Sequence, residues 1–190
     1  NGYPIGDAVG KLTLDRSNYN ILIDADFTEG EKQVAHMDGL VETMGEKRWG
    51  LDIYPDSISV AFINHWTSGF ITDIAGRAFG EVHVFGKDKC TWVTANAYAD
   101  SVGLTIPFTG CRYYVSDSVF LDSTAVVFPA MTLHDEEGNE LFLDGRLEHN
   151  EYFADFKFNI FAQPKNALVF NLPYKQGEML SGKTYASGEV

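Results

Sequence analysis

Polar and apolar residues alternate one for one along most of this chain, the period of a β-strand whose two faces meet different surroundings. Residues 11–15 set Leu12 and Leu14 on one side and Lys11, Thr13 and Asp15 on the other. Ser17, Asn18, Tyr19 and Asn20 supply turn chemistry, and residues 21–27 alternate again with Ile21 and Ile23 on one parity. In residues 58–63, Ile58, Val60 and Phe62 share a parity and predict another strand. Residues 80–86 point Val82 and Val84 one way and Glu81 and His83 the other, and Lys87-Asp88 turns the chain into a strand over 91–95.

The last third carries the pattern most plainly. Residues 140–149 alternate throughout, with Leu141 and Leu143 on one side, and Asn150 to Tyr152 connect them to a strand over 154–160 that aligns Phe156, Phe158 and Ile160. Asp135 to Glu140, with Gly138 and Asn139, reads as a hairpin turn. A separate strand over 167–172, carrying Leu168 and Phe170, ends at Pro173. Only residues 30–49 depart from the pattern. Val34, Met37, Leu40, Val41 and Met44 keep near-helical spacing, interrupted by Gly39 and Gly45, which favours a short helix or an irregular excursion and leaves a strand-loop reading open. Strand-plus-turn spacing gives about a dozen strands in an all-β chain.

Length and charge narrow the function classes. The chain has 190 residues and a formal net charge of −13, with 27 acidic against 14 basic residues. Such a surface repels phosphate backbones and anionic membrane surfaces, which argues against nucleic acid as a partner. No apolar run approaches the ~18 residues of a membrane-spanning helix. The chain opens Asn1-Gly2-Tyr3-Pro4. That start fits either removal of a leader or an excerpt of a longer protein. Cys90 and Cys111 could pair in an oxidising compartment or stand as two thiols, and their spacing suits no zinc site.

Catalytic and metal chemistry find little support. His36, His65, His83, His134 and His149 lack ligand spacing. Asp24 and Asp26 share a strand face, as glycosidase carboxylates can, but the solvent face of a half-buried strand explains them as well. The loop from Asp135 departs from a calcium loop because Gly138 comes fourth rather than sixth. Phosphate-binding, nucleophile-elbow and zinc-protease patterns are not found. A weak echo links residues 76–82 to 182–190, each running from Gly-basic through an aromatic to Gly-Glu-Val. The alternating aromatic and aliphatic load suits either an ordinary β-sandwich core or a curved sheet whose apolar face lines a lipid groove.

Several segments, in order, resemble one family. Gly76, Ala78, Gly80, Val82, Val84 and Gly86 are similar to the G-x-A-x-G-x-V-x-[VL]-x-G segment of the TamB-type translocation and assembly proteins, relatives of AsmA. Ala95-Asn96-Ala97 and Leu104-Thr105-Ile106-Pro107 follow, then Tyr113 to Val119, which resembles Tyr-x-[FVI]-x-Asp-x-[IV]. Leu133 to Asn139 looks like the family's Leu-x-Asp-x-x-Gly-Asn hairpin. Leu143 to Asn150, Phe153 to Ile160 and Gly182 to Gly188 complete the match. The resemblance is stronger over 76–190 and weaker over 1–75.

The resemblance implies a single β-groove segment, 1–190, from towards the C-terminal end of a protein anchored in the inner membrane by a helix outside this chain. It implies an elongated curved, taco-like sheet with an apolar interior, the alternative being a closed β-sandwich. The location would be the periplasm, the partners phospholipid acyl chains and an Omp85-family outer-membrane barrel. The role would be phospholipid transport or outer-membrane protein assembly, without catalysis or cofactor. Lumen-facing candidates are Leu12, Leu14, Ile21, Ile23, Val60, Phe62, Val82, Val84, Leu141, Leu143, Phe156, Phe158, Ile160, Leu168 and Phe170. The alternative function is a structural or adhesive periplasmic β-sandwich that binds a protein partner. End strands cut from a longer sheet would expose unpaired N–H and C=O groups and favour edge-to-edge association.

Overall fold

The computed structural model describes residues 6–65, 67, 70–88, 90–150, 156–173 and 181–188. They form an antiparallel sheet of 13 strands, confirming the all-β expectation. In chain order these are β1 (Asp7–Asp15), β2 (Asn20–Glu29), β3 (Lys32–Val41), β4 (Arg48–Pro55), β5 (Ile58–Ser59), β6 (Thr72–Lys87) and β7 (Cys90–Ile106). After them come β8 (Cys111–Val115), β9 (Ser118–Leu121), β10 (Ala125–Asp135), β11 (Glu140–Glu148), β12 (Lys157–Leu172) and β13 (Gly182–Ser187).

The connectivity is an up-and-down meander. β4 and β5 lie end to end against β6, and β8 and β9 lie end to end between β7 and β10. Each of these two pairs acts as one broken strand, so sequential neighbours are spatial neighbours from β1 to β13. Antiparallel neighbours of this kind can be joined by short links. Two glycines let long strands approach closely. Gly80 (φ 139°) and Gly145 (φ 145°) hold a backbone region that side chains avoid, and a Cβ would fall within 2.2 Å of Asn96 O and 2.3 Å of Asn159 O respectively.

The two ends of the sheet differ. β8, β10, β11 and β12 close into a small barrel. Its seam is polar: the Asn171 N–H donates to Thr109 O (2.7 Å), and the Tyr113 hydroxyl donates to Leu168 O (2.7 Å). The buried apolar cluster lies here, with Cys111, Ala167 and Leu168 fully enclosed beside Tyr113, Val115, Met131, Leu133 and Leu141. From β1 to β4 the sheet is a single layer, and β1 is exposed along nearly its whole length.

Three sequence expectations are corrected. Residues 58–63 do not continue as a strand: β5 spans two residues, and Val60–His65 is a 3-10 helix. Asn64 fixes it, its Nδ2 donating to Ala61 O (2.9 Å) and Ile74 O (2.7 Å) while Oδ1 accepts from the Ile74 N–H (2.8 Å). Val60 and Ile63 then pack on the buried cluster at β6. Residues 30–49 hold not the favoured helix but the strand-loop alternative: β3, a turn and the start of β4. A bulge explains the misleading spacing: Phe27 pairs with Ala35 and Thr28 with Gln33, leaving Val34 as the extra residue. Finally, the strands expected over 154–160 and 167–172 belong to one 16-residue strand, β12, which continues through Pro164 and past Asn166 (φ 55°) where the register shifts. Residues 154 and 155 lie outside the described residues, and Phe156 precedes the strand.

Candidate functional site

Strict two-residue alternation sorts the side chains of neighbouring strands into rows that cross the sheet. One row takes Gly10, Ala25, Met37, Ile53, Val82, Ala95, Leu121, Val126, Leu147 and Phe158, each directly opposite the next. It contains no polar side chain across ten strands. A parallel row joins Leu12, Ile23, Gly39, Leu51, Val84 and Val93. Beside it run Leu14, Ile21, Val41, Trp49 and Gly86. Leu51 and Ile23 lean over Gly39, within 2.6 and 3.2 Å of where a Cβ would sit, and the Trp49 ring covers Gly86 in the same way. These small residues let the large ones lie flat, giving an even apolar surface.

The candidates divide along that surface. Leu12, Leu14, Ile21, Ile23, Val82 and Val84 lie on it in the open sheet; Leu12 and Leu14 are exposed and the other four half-buried. Phe158 lies at its far end, 64% exposed and opposite the buried Leu147, and Ile160 is half-buried opposite Gly145. Leu141, Leu143 and Leu168 belong to the closed barrel instead. Leu141 and Leu168 are in its buried cluster, Leu143 packs against that cluster, and none can line an open groove. Val60 and Phe62 sit in the 3-10 helix, off the strand rows. Phe156 is outside the strand with its ring 5.4 Å from Phe70, and Phe170 is half-buried beyond the bulges of β12. The apolar residues of β3 and β4 were missed because the helical spacing hid β3; Trp49, Leu51 and Ile53 carry the strand signal once β3 is seen.

The opposite face is acidic, with aromatic pairs. Lys11, Asp24, Asp38, Asp52, His83 and Thr94 form one row, so three aspartates stand directly across from one another. Like charges in that arrangement repel, and neighbouring imidazole rings pack against the carboxylates. The His36 ring lies 2.8 Å from Asp26 and 3.4 Å from Asp38, and His83 lies 2.6 Å from Asp52. The Asp26 hydrogen bond, opposed by modest desolvation, raises the His36 pKa above its usual value. Asp26 also accepts from Gln33 Nε2 (2.8 Å), which ties it to β3 rather than freeing it to act with Asp24 as a catalytic pair. A depression of about 660 Å³ opens over β1 to β4 among Lys11, Asp24, Asp38, Arg48 and Asp52. Phe79 stacks on Tyr98 (centroids 5.0 Å) and Phe85 on Trp92 (5.9 Å) on the same face.

Among the described residues, no group of three or more His, Cys, Asp or Glu side chains has metal-binding geometry. The hairpin carboxylate Asp135 is buried and holds backbone instead: it accepts from the N–H groups of Leu168 (2.7 Å), Asn139 (2.8 Å) and Glu137 (2.9 Å). Burial pushes its pKa up, but these hydrogen bonds outweigh it and hold the carboxyl below the usual range. Cys90 and Cys111 are free thiols at opposite ends of β7, about 50 Å apart at strand rise, so they cannot pair within one chain. No helix among the described residues is long and apolar enough to cross a membrane. Set against family models, curated proteins and solved structures, the chain matches none of them.

Proposed function

We propose that this chain is a periplasmic segment of a TamB-like envelope protein and that its apolar sheet face carries phospholipid acyl chains between membranes. The observation that carries the reading is the unbroken apolar row from Gly10 to Phe158, on a sheet that is a single layer from β1 to β4. Burying an acyl chain gains about 0.8 kcal/mol per CH₂. On a surface with no polar interruption that gain changes little with position, so a lipid can move along it without being trapped. The ordered motif resemblance over 76–190 supplies the envelope context and the Omp85-family barrel as partner.

A second reading, a structural domain that binds a protein partner, draws on the closed barrel of β8, β10, β11 and β12, whose interior leaves no room for a lipid. Photo-crosslinking in cells separates the two. A crosslinking residue at Val82, on the apolar face, should capture phospholipid, while one at Glu81, on the polar face, should not. Capture of protein alone from position 82, or equal lipid capture from 81 and 82, overturns the lipid reading.

A further inference from the structure

The acidic face of the sheet carries exposed rings around a single carboxylate. Alternation places Tyr54 of β4, Phe79 and Glu81 of β6, Asn96 and Tyr98 of β7, and Ser118 of β9 on this face. A depression of about 280 Å³ opens among them. Tyr54, Phe79 and Tyr98 are 40%, 39% and 38% exposed, and rings gathered on a surface in this way mark an interaction site. The Phe79–Tyr98 stack and the Tyr98 hydroxyl, which donates to Ser116 O (3.3 Å), hold two of the rings in place. All four strands are hydrogen-bonded on both sides, so the depression belongs to the interior of the sheet and not to an edge.

Glu81 has no lysine or arginine of its own. Among the described residues its one ion-pair contact is with His83, whose Nε2 lies 4.0 Å away and whose Nδ1 is 2.6 Å from Asp52. Asp52 precedes Tyr54 by two residues on the same face. From it the acidic row runs through Asp38 to Asp24, at strand spacings of about 4.8 Å. Among the described residues no lysine or arginine comes within 4.0 Å of these four carboxylates, and the nearby Arg48 is taken by Glu42 and Glu46. The net charge of −13 adds to the same attraction for cations.

We propose that this face docks a basic segment of a protein partner, with an arginine of that segment seated in the depression. Its guanidinium stacks against the rings and donates to Glu81, and Asp52, Asp38 and Asp24 attract further basic residues of the same segment. Arginine suits the depression better than lysine. Its planar group stacks on rings, meets a carboxylate with two hydrogen bonds and is weakly hydrated, so an open surface is enough to desolvate it. The molecule makes such a contact internally, where the Arg112 guanidinium lies 5.3 Å from the centroid of the Tyr114 ring. An apolar partner would bury Glu81 without a counter-charge. A neutral sugar would stack on the rings and leave the acidic row unanswered. The docking does not depend on what the opposite, apolar face carries.

Fluorescence anisotropy with the full chain tests it, using a short labelled peptide that alternates glycine and arginine. The peptide should bind, with affinity falling as salt rises, and its lysine counterpart should bind about fivefold more weakly. Glu81→Gln should weaken the arginine peptide about tenfold, the scale of one lost charge-assisted pair. Phe79→Leu keeps an apolar side chain but removes a ring, and should weaken it about threefold. Glu31→Gln removes the same charge from the exposed turn between β2 and β3 and should leave the affinity unchanged. Circular dichroism verifies that each variant is folded. Equal binding of the two basic peptides, equal losses from Glu81→Gln and Glu31→Gln, or no binding of the arginine peptide overturns the proposal. So does its displacement by cadaverine at a lower concentration than by agmatine, which would assign the site to an ammonium. Binding of cellohexaose that Glu81→Gln leaves intact would assign it to a sugar and overturn the proposal equally.

Discussion

Asp135 shows how one side chain can close a sheet on itself. Its carboxylate receives the Leu168 N–H from β12, while the Tyr113 hydroxyl on β8 bonds the Leu168 carbonyl. Both backbone groups of one buried residue are thereby satisfied by side chains from strands across the barrel, as burial of peptide groups demands. Asp135→Ala strands the N–H groups of Leu168, Asn139 and Glu137, and should cost about 3 kcal/mol in urea unfolding. The lowered carboxyl pKa adds a pH signature. A depressed folded-state pKa contributes stability that is complete above the unfolded-state value and is lost as pH falls through the folded-state one. The wild-type chain should therefore lose stability more steeply than Asp135→Ala below about pH 4, where unfolded aspartates take up protons. Parallel pH curves for the two proteins would show that the carboxylate does not act this way.

At the scale of the element, strands with unbroken alternation were legible from sequence: β2, β11 and the second halves of β1 and β6 lie where period two placed them. What escaped were the local devices that break the period. The bulge at Val34 gave β3 a helical spacing, Asn64 turned an apolar strand pattern into a 3-10 helix, and the shift at Asn166 made one strand look like two. The site divided for a related reason. Parity states which residues share a face, but barrel closure depends on side chains such as Tyr113 and Asp135 meeting residue 168 across the fold, which no local pattern records. A pair of substitutions separates surface from core. Phe158→Asp, at an exposed strand end, should cost about 1 kcal/mol or less. Leu168→Asp, at a fully enclosed position, should cost about 4 kcal/mol or more by leaving a charge buried and unpaired. Comparable losses in the two variants would mean that position 158 also belongs to the closed core.

For the whole molecule, one continuous sheet has two unequal ends. Around β8, β10, β11 and β12 the apolar side chains enclose one another, so opening any strand exposes the shared core. From β1 to β4 each strand is stabilised mainly by its immediate neighbours, and apart from Ala25, Val34, Ala35 and Pro55 the apolar residues lie half-buried or exposed. Local stability follows enclosed apolar contact, so the open end should unfold on its own at a lower free energy than the barrel. Hydrogen exchange should thus be fast in β1 to β4 and slow in β8 and in residues 167–168 of β12. A ligand that covers the apolar face binds the folded sheet and not the opened one, which shifts the opening equilibrium toward closure. Adding phospholipid in detergent micelles should slow exchange in β1 to β4 and leave the barrel unchanged, while micelles without lipid set the baseline. The backbone of the acidic face shares these strands, so the control must come from side chains. Ile23→Asp should abolish the lipid-dependent protection, and Asp24→Asn, one residue away on the other face, should preserve it. Protection that survives Ile23→Asp, or none in the wild-type chain, would rule out the apolar face as the lipid-bearing surface.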